Sequence, residues 1–181
     1  MRKMIAVVMA VCVLFSLAGC SALEDATAIV RPKEKVFSID TYHLQITADT
    51  TFQEKTGGNS WDLQITNGDA YISVMAYKYI DLPQDVTPAD VYDMQNQDIF
   101  SKRDNVATVE ETMTQTLPGC KVTYGMYSAE KDGGKNYYAS YLMDFADAET
   151  FAWVLVTAVP SYMEENKETL HNIVCSLTPA K

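Results

Sequence analysis

The chain has 181 residues, enough for one globular domain beside a short leader, and carries 14 basic against 24 acidic side chains for a net charge of −10. An acidic chain whose lysines and arginines form no basic stripe is repelled by phosphate backbones, which excludes nucleic acid as a partner.

Arg2 and Lys3 form a basic start, followed by an apolar run over residues 5–17. That run is shorter than the roughly 20 residues a membrane-spanning helix requires, and it has the length of an export-signal core. It ends in Leu17-Ala18-Gly19-Cys20, which resembles the lipobox of bacterial lipoproteins. Small residues before the cysteine let an extended backbone enter a peptidase, and the cysteine sulfur is the nucleophile that takes the lipid. The resemblance implies that residues 1–19 are removed, that Cys20 is acylated, and that the product faces the extracytoplasmic side of a membrane, at net −12 once Arg2 and Lys3 are gone. A diacyl anchor holds where a single chain would not. Residues 20–35, interrupted by Pro32, read as a lipidated tether, and 36–181 as the globular domain.

The domain opens with strands. Residues 36–39 form a brief one, and Tyr42, Leu44 and Ile46 alternate with His43, Gln45 and Thr47. Trp61, Leu63 and Ile65 alternate likewise, and Asn67-Gly68 predicts a type I′ hairpin turn into a strand over 70–80 that is apolar on both parities. Thr87-Pro88-Ala89-Asp90 starts a helix, which Lys102 and Arg103 are expected to close. Strands follow over 106–116, 120–129 and 137–145, separated by Leu117-Pro118-Gly119 and by a turn at 131–135. In 151–159, Phe151, Trp153 and Leu155 share one face and Ala152, Val154, Val156 and Ala158 the other, so a helix should approach closest over the small face. Ser161 and Glu164 predict a capping box for a last helix with an apolar stripe of Met163, Leu170, Ile173, Val174 and Leu177, stopped at Thr178-Pro179.

This order of elements, over residues 37–52, 61–83, 117–119 and 137–177, resembles the PsbP-like family. The resemblance implies an α+β fold, an antiparallel sheet flanked by helices on both faces as an α/β/α sandwich. It brings no catalytic set that can be carried over.

Chemistry-bearing residues are few. His43 is expected in a strand and His171 in the last helix; either would need a thiol (Cys120 or Cys175) and a third group for catalysis or metal binding. Those two cysteines are read as free buried thiols, although export permits a bond between them. Gly57-Gly58 and Gly133-Gly134 read as turns. Asp144, Asp147 and Glu149 cluster at an expected hairpin tip without the spacing of a calcium loop and read as a solvated turn; Glu110-Glu111 form a second acidic pair, and Glu164-Glu165 is explained by the helix N-terminus. No cofactor or metal motif is present in the sequence. The 11 tyrosines are the remaining pull: Tyr71, Tyr77 and Tyr79 share a face of one strand, and Tyr137 and Tyr141 a face of another. Tyrosine joins a flat apolar body to a polar tip, which suits a ligand or partner face. The expectation is a lipid-anchored, non-catalytic binding or accessory protein with an unidentified protein or small-molecule partner. The alternatives are an enzyme with an unrecognised site, or an assembly factor of a membrane complex.

Overall fold

Alternating apolar residues lay down a small sheet first. In a computed structural model describing residues 33–56 and 60–180, β1 (Glu34–Ile39) pairs antiparallel with β2 (Leu44–Asp49), whose Leu44, Ile46 and Ala48 are buried. The signal segment, Cys20, the tether up to residue 32 and the Gly57-Gly58 turn lie outside the described residues. The expected strand does not extend back to Tyr42. Residues 40–42 form a 3-10 turn, and His43 closes it in the left-handed region at φ 50°.

A second sheet contains β3 (Gln53–Glu54), β4 (Leu63–Thr66), β5 (Ala70–Lys78), β6 (Asp104–Leu117), β7 (Cys120–Lys131), β8 (Gly134–Phe145) and β9 (Thr150–Ala158). Its antiparallel strands run β3-β4-β5-β9-β8-β7-β6. The single expected sheet is therefore two, because β1 and β2 pair with the two-residue β10 (Thr178–Pro179) instead of joining the larger array. The helices are α1 (Pro88–Phe100) and α2 (Pro160–Cys175). Among the described residues the result is a mixed α+β fold of antiparallel sheets and two helices.

Strand β9 divides the core by parity. Ala152, Val154, Val156 and Ala158 belong to one cluster with Met163, Leu170, Ile173 and Val174 of α2. Phe151, Trp153 and Leu155 belong to another with Val91 and Tyr92 of α1. Helix α2 thus packs with the small side chains, where a helix can come nearest. A polar chain crosses the second cluster. Trp153 Nε1 donates to Ser140 Oγ at 2.8 Å, and that hydroxyl donates to Asn96 Oδ1 at 2.5 Å.

Several local expectations are corrected. Asn67 is not in the left-handed region; only Gly68 is, at φ 96°, so the type I′ turn does not form there. Asn67 Oδ1 instead accepts the N–H groups of Asp69 and Ala70, folding a four-residue loop between Thr66 and Tyr71. The two-residue turn with both central φ positive is Asp132-Gly133, at 53° and 79°. Trp61 lies outside β4, because Asp62 Oδ2 takes the Ala76 N–H and redirects the chain. Trp61 stacks on Trp153 at 5.2 Å in the α1 cluster, while Leu63 and Ile65 enter the α2 cluster.

Helix α1 has the expected start. Thr87 Oγ1 accepts from Asp90 N, and Asp90 Oδ2 accepts from Thr87 N. It ends at Phe100, before Lys102 and Arg103; Arg103 donates to the Ile99 carbonyl and lies over the Tyr138 ring at 4.8 Å. Helix α2 starts two residues earlier than the Ser161 box requires. Val159 is its N-cap and Pro160 its first residue, so Ser161 sits too late to cap.

The outer strand β6 is exposed along most of its length and has three register shifts against β7. Such irregularities discourage unwanted strand addition. Gly125 of β7 is needed for close approach: a Cβ there would stand 2.9 Å from Thr112 Oγ1 and 3.2 Å from the Tyr127 hydroxyl. Overpacking costs about 1–3 kcal/mol, and reduced freedom of the unfolded chain returns about 0.4–1. Gly125→Ala should therefore destabilise by about 1 kcal/mol in urea titration, and an unchanged midpoint would contradict the packing.

Candidate functional site: a cleft where four loops meet

Four turns distant in sequence converge at one end of the domain. They are the turn at 40–43, the turn Tyr79–Asp81 after β5, the turn Ala146–Ala148 after β8, and the β10 tail. Between them lies a cleft of about 470 Å³ lined by Tyr42, His43, Lys78, Ile80, Glu149 and Ala180, among others. A second depression of about 550 Å³ shares Ile80 and Glu149 and adds Tyr79. Ile80, 86% exposed, stands at both.

The frame is tied by backbone. Tyr79 N donates to Glu149 O at 3.0 Å, and Ala180 N to His43 O at 2.6 Å. His43 and Glu149 both hold positive φ, at 50° and 52°. Non-glycine residues there cost of order 1–3 kcal/mol each and persist only where the surroundings impose them. Two such positions at one cleft mark it as a rigidly set surface.

Its chemistry is mixed. Lys78 reaches over the Tyr42 ring at 5.9 Å. Burial raises the Tyr42 phenol above its usual range, helped by the negative charges of Asp62 and Asp81. Burial and then the hydrogen bond to Asp144 likewise raise Tyr79. Of the expected acidic cluster, Asp144 is thus engaged with Tyr79, while Asp147 and Glu149 line different cavities. Among the described residues, no group of three or more His, Cys, Asp or Glu is gathered to hold a metal.

The tyrosines do not assemble into one platform. Tyr77 stacks on Phe151 at 5.0 Å and accepts from Gln95, and Tyr79 meets the same ring edge-on. Tyr71 is flanked by Lys55. Tyr141 is buried in the α2 cluster, and Tyr137 packs at its margin, donating to Glu164 at 3.2 Å. Strand register separates the groups: Tyr77 pairs with Phe151, but Tyr141 with Val154. Opposite parities on β9 are opposite sheet faces.

His171 lies on α2, with Cys175 Sγ 3.4 Å from Nε2 and the Tyr141 hydroxyl 3.4 Å from Nδ1. Burial raises the Cys175 thiol, and burial with Lys167 nearby lowers the imidazole. Cys120, also desolvated, is pushed up to about 11. Both thiols are free. A protonated thiol beside a neutral ring is the reverse of an activated nucleophile. The four-residue spacing of His171 and Cys175 was legible in the sequence; the cleft around His43 had no local signal.

No family model and no curated protein matches the sequence. The fold is PsbP-like. Cyanobacterial PsbP (CyanoP) from Synechocystis sp. PCC 6803 matches with a TM-score of 0.62 and 9% identity, over 84% of this chain and 95% of that one. LpqN of Mycobacterium tuberculosis, described as involved in cell envelope biogenesis, matches at 0.57 with 13% identity, over 82% and 91%. The Ran-binding protein Mog1p of Saccharomyces cerevisiae matches at 0.55 with 8% identity, over 83% and 97%. At such identities the likeness is one of fold.

Proposed function

We propose that this is a lipid-anchored extracytoplasmic binding protein, non-catalytic, that engages a partner through the end-of-sheet cleft. In this reading residues 1–19 are the export signal, Cys20 carries the lipid, 20–35 tether the domain, and α1 and α2 cover opposite faces of the larger sheet. The parity of β9 supports that layering. The observation that carries the binding role is Ile80: a large apolar side chain, 86% exposed, held at the junction of two depressions by a constrained backbone. The fold likenesses to an envelope protein and to a Ran-binding protein are in keeping with a binding or accessory role.

The test has two arms. Cys20→Ala should abolish metabolic acyl labelling and membrane retention; unchanged labelling would end the anchor reading. A photoreactive residue at position 80 should give a discrete adduct in intact cells, and one at exposed Met94 on α1 should not. No adduct from position 80, or the same adduct from both positions, would remove the cleft from the account.

A second reading, an acid–base enzyme, has one observation in its favour: His43 and Glu149 line the same cleft. Product release from envelope extracts, lost in both His43→Ala and Glu149→Gln, would replace the binding reading.

A further inference from the structure

The last two turns of α2 hold a chemistry that the cleft does not use. His171 and Cys175 are one helical turn apart, so their side chains lie one above the other. The sulfur stands 3.4 Å from Nε2. When one metal ion takes a thiolate at about 2.3 Å and an imidazole at about 2.0–2.1 Å with a tetrahedral angle between them, the two donors end about 3.5 Å apart. The pair already has that bite.

The ring is also held. Tyr141 Oη lies 3.4 Å from Nδ1, and the Tyr124 and Tyr141 rings flank the imidazole at 5.2 and 5.7 Å between centroids. A histidine whose second nitrogen is engaged by the protein has its ring orientation held before a metal arrives. Cys175 also lines a cavity of about 340 Å³ with Cys120, Phe145 and Leu177. A water occupies about 30 Å³, so the space on the Cys175 side of the pair can hold water, although His171 does not line it.

We propose that His171 Nε2 and Cys175 Sγ form a two-point clasp for a thiophilic divalent metal ion of the zinc class, with water completing the tetrahedron. On binding, the Cys175 thiol releases its proton to solvent as the sulfur–metal bond forms. The imidazole stays neutral, its Nδ1–H donated to Tyr141 Oη, and nothing is oxidised or reduced. Among the described residues no third His, Cys, Asp or Glu joins the pair, so the ion keeps open positions. Such an ion exchanges readily and is not required for folding, unlike a closed four-ligand structural site.

Site-resolved alkylation of the full chain in detergent tests this. Zn(II) should slow iodoacetamide labelling of Cys175 at least tenfold, and Mg(II), which prefers oxygen donors, should not. Cys120, 8% exposed, serves as the internal control and should keep its rate. His171→Gln should abolish the protection while Cys175 stays reactive. No protection of Cys175, or equal protection in His171→Gln, would overturn the clasp. If His171→Gln speeds Cys120 labelling and so reports unfolding, Co(II) absorption decides. A thiolate-to-cobalt band present in the parent and lost in folded Cys175→Ser supports the site; no band, or one that persists, overturns it.

Discussion

Trp153→Ala is expected to lower the unfolding free energy by about 4 kcal/mol or more, as Trp-to-Ala changes in cores cost about 3–5 and orphaned polar partners about 1–3 each. Trp153 is 0% exposed, stacks on Trp61, and donates to Ser140 Oγ. Its removal opens a cavity and strips one partner from the Ser140–Asn96 chain. Against a total of about 5–15 kcal/mol for a typical domain, that loss is large. Trp153→Phe separates the contributions: it keeps most of the volume and loses the N–H, so its expected cost is about 1–2 kcal/mol. Urea denaturation followed by circular dichroism measures both. A cost below about 2 kcal/mol for the alanine variant would mean that this cluster is not the centre of its core.

Leu170→Ala, on the other side of β9, should cost about 2–4 kcal/mol, because the residue is 2% exposed and embedded among Ile173, Val174 and the β9 valines. For a domain of this size each kcal/mol moves the melting temperature by about 2–4 °C, so the expected drop is about 4–16 °C. Met94→Ala on α1 is the contrast, since Met94 is 55% exposed and surface changes stay within about 0.5 kcal/mol. Equal melting shifts in the two variants would contradict the assignment of the buried stripe.

Much of the fold was legible because its signals are local. The alternation in β2, the Thr87-Pro88 helix start and the apolar stripe of α2 each lie within a dozen residues, and each is realised. Local signals fail where two compete. Pro160 sets the start of α2 one residue ahead of Ser161, so the box that the spacing offered is never made. At Asn67-Gly68 the side chains of Thr66 and Asn67 bond the loop backbone, and the longer Asx-type loop replaces the two-residue turn. Trp61 leaves its apparent strand because Asp62 bonds Ala76.

The tyrosines show the limit most clearly. Tyr71 and Tyr77 share a face of β5, and Tyr137 and Tyr141 a face of β8, as period two requires, whereas Tyr79 falls past the end of β5 in the turn Tyr79–Asp81; the relation between the groups depends on register across β9. A shift of one residue in pairing moves every side chain of a strand to the other face. With Tyr77 opposite Phe151 and Tyr141 opposite Val154, the aromatic sets join different clusters.

Charge, motif and periodicity are read along the chain, and they carry the acidic character, the lipobox-like Leu17-Ala18-Gly19-Cys20, the types of most elements and the two-sided pattern of β9. The gathering of residues 43, 80, 149 and 180 at one cleft, and of Tyr141 with the His171–Cys175 pair, arises on folding alone. Those meetings depend on strand pairing and loop closure between residues up to 137 positions apart, and no pattern within one element encodes them.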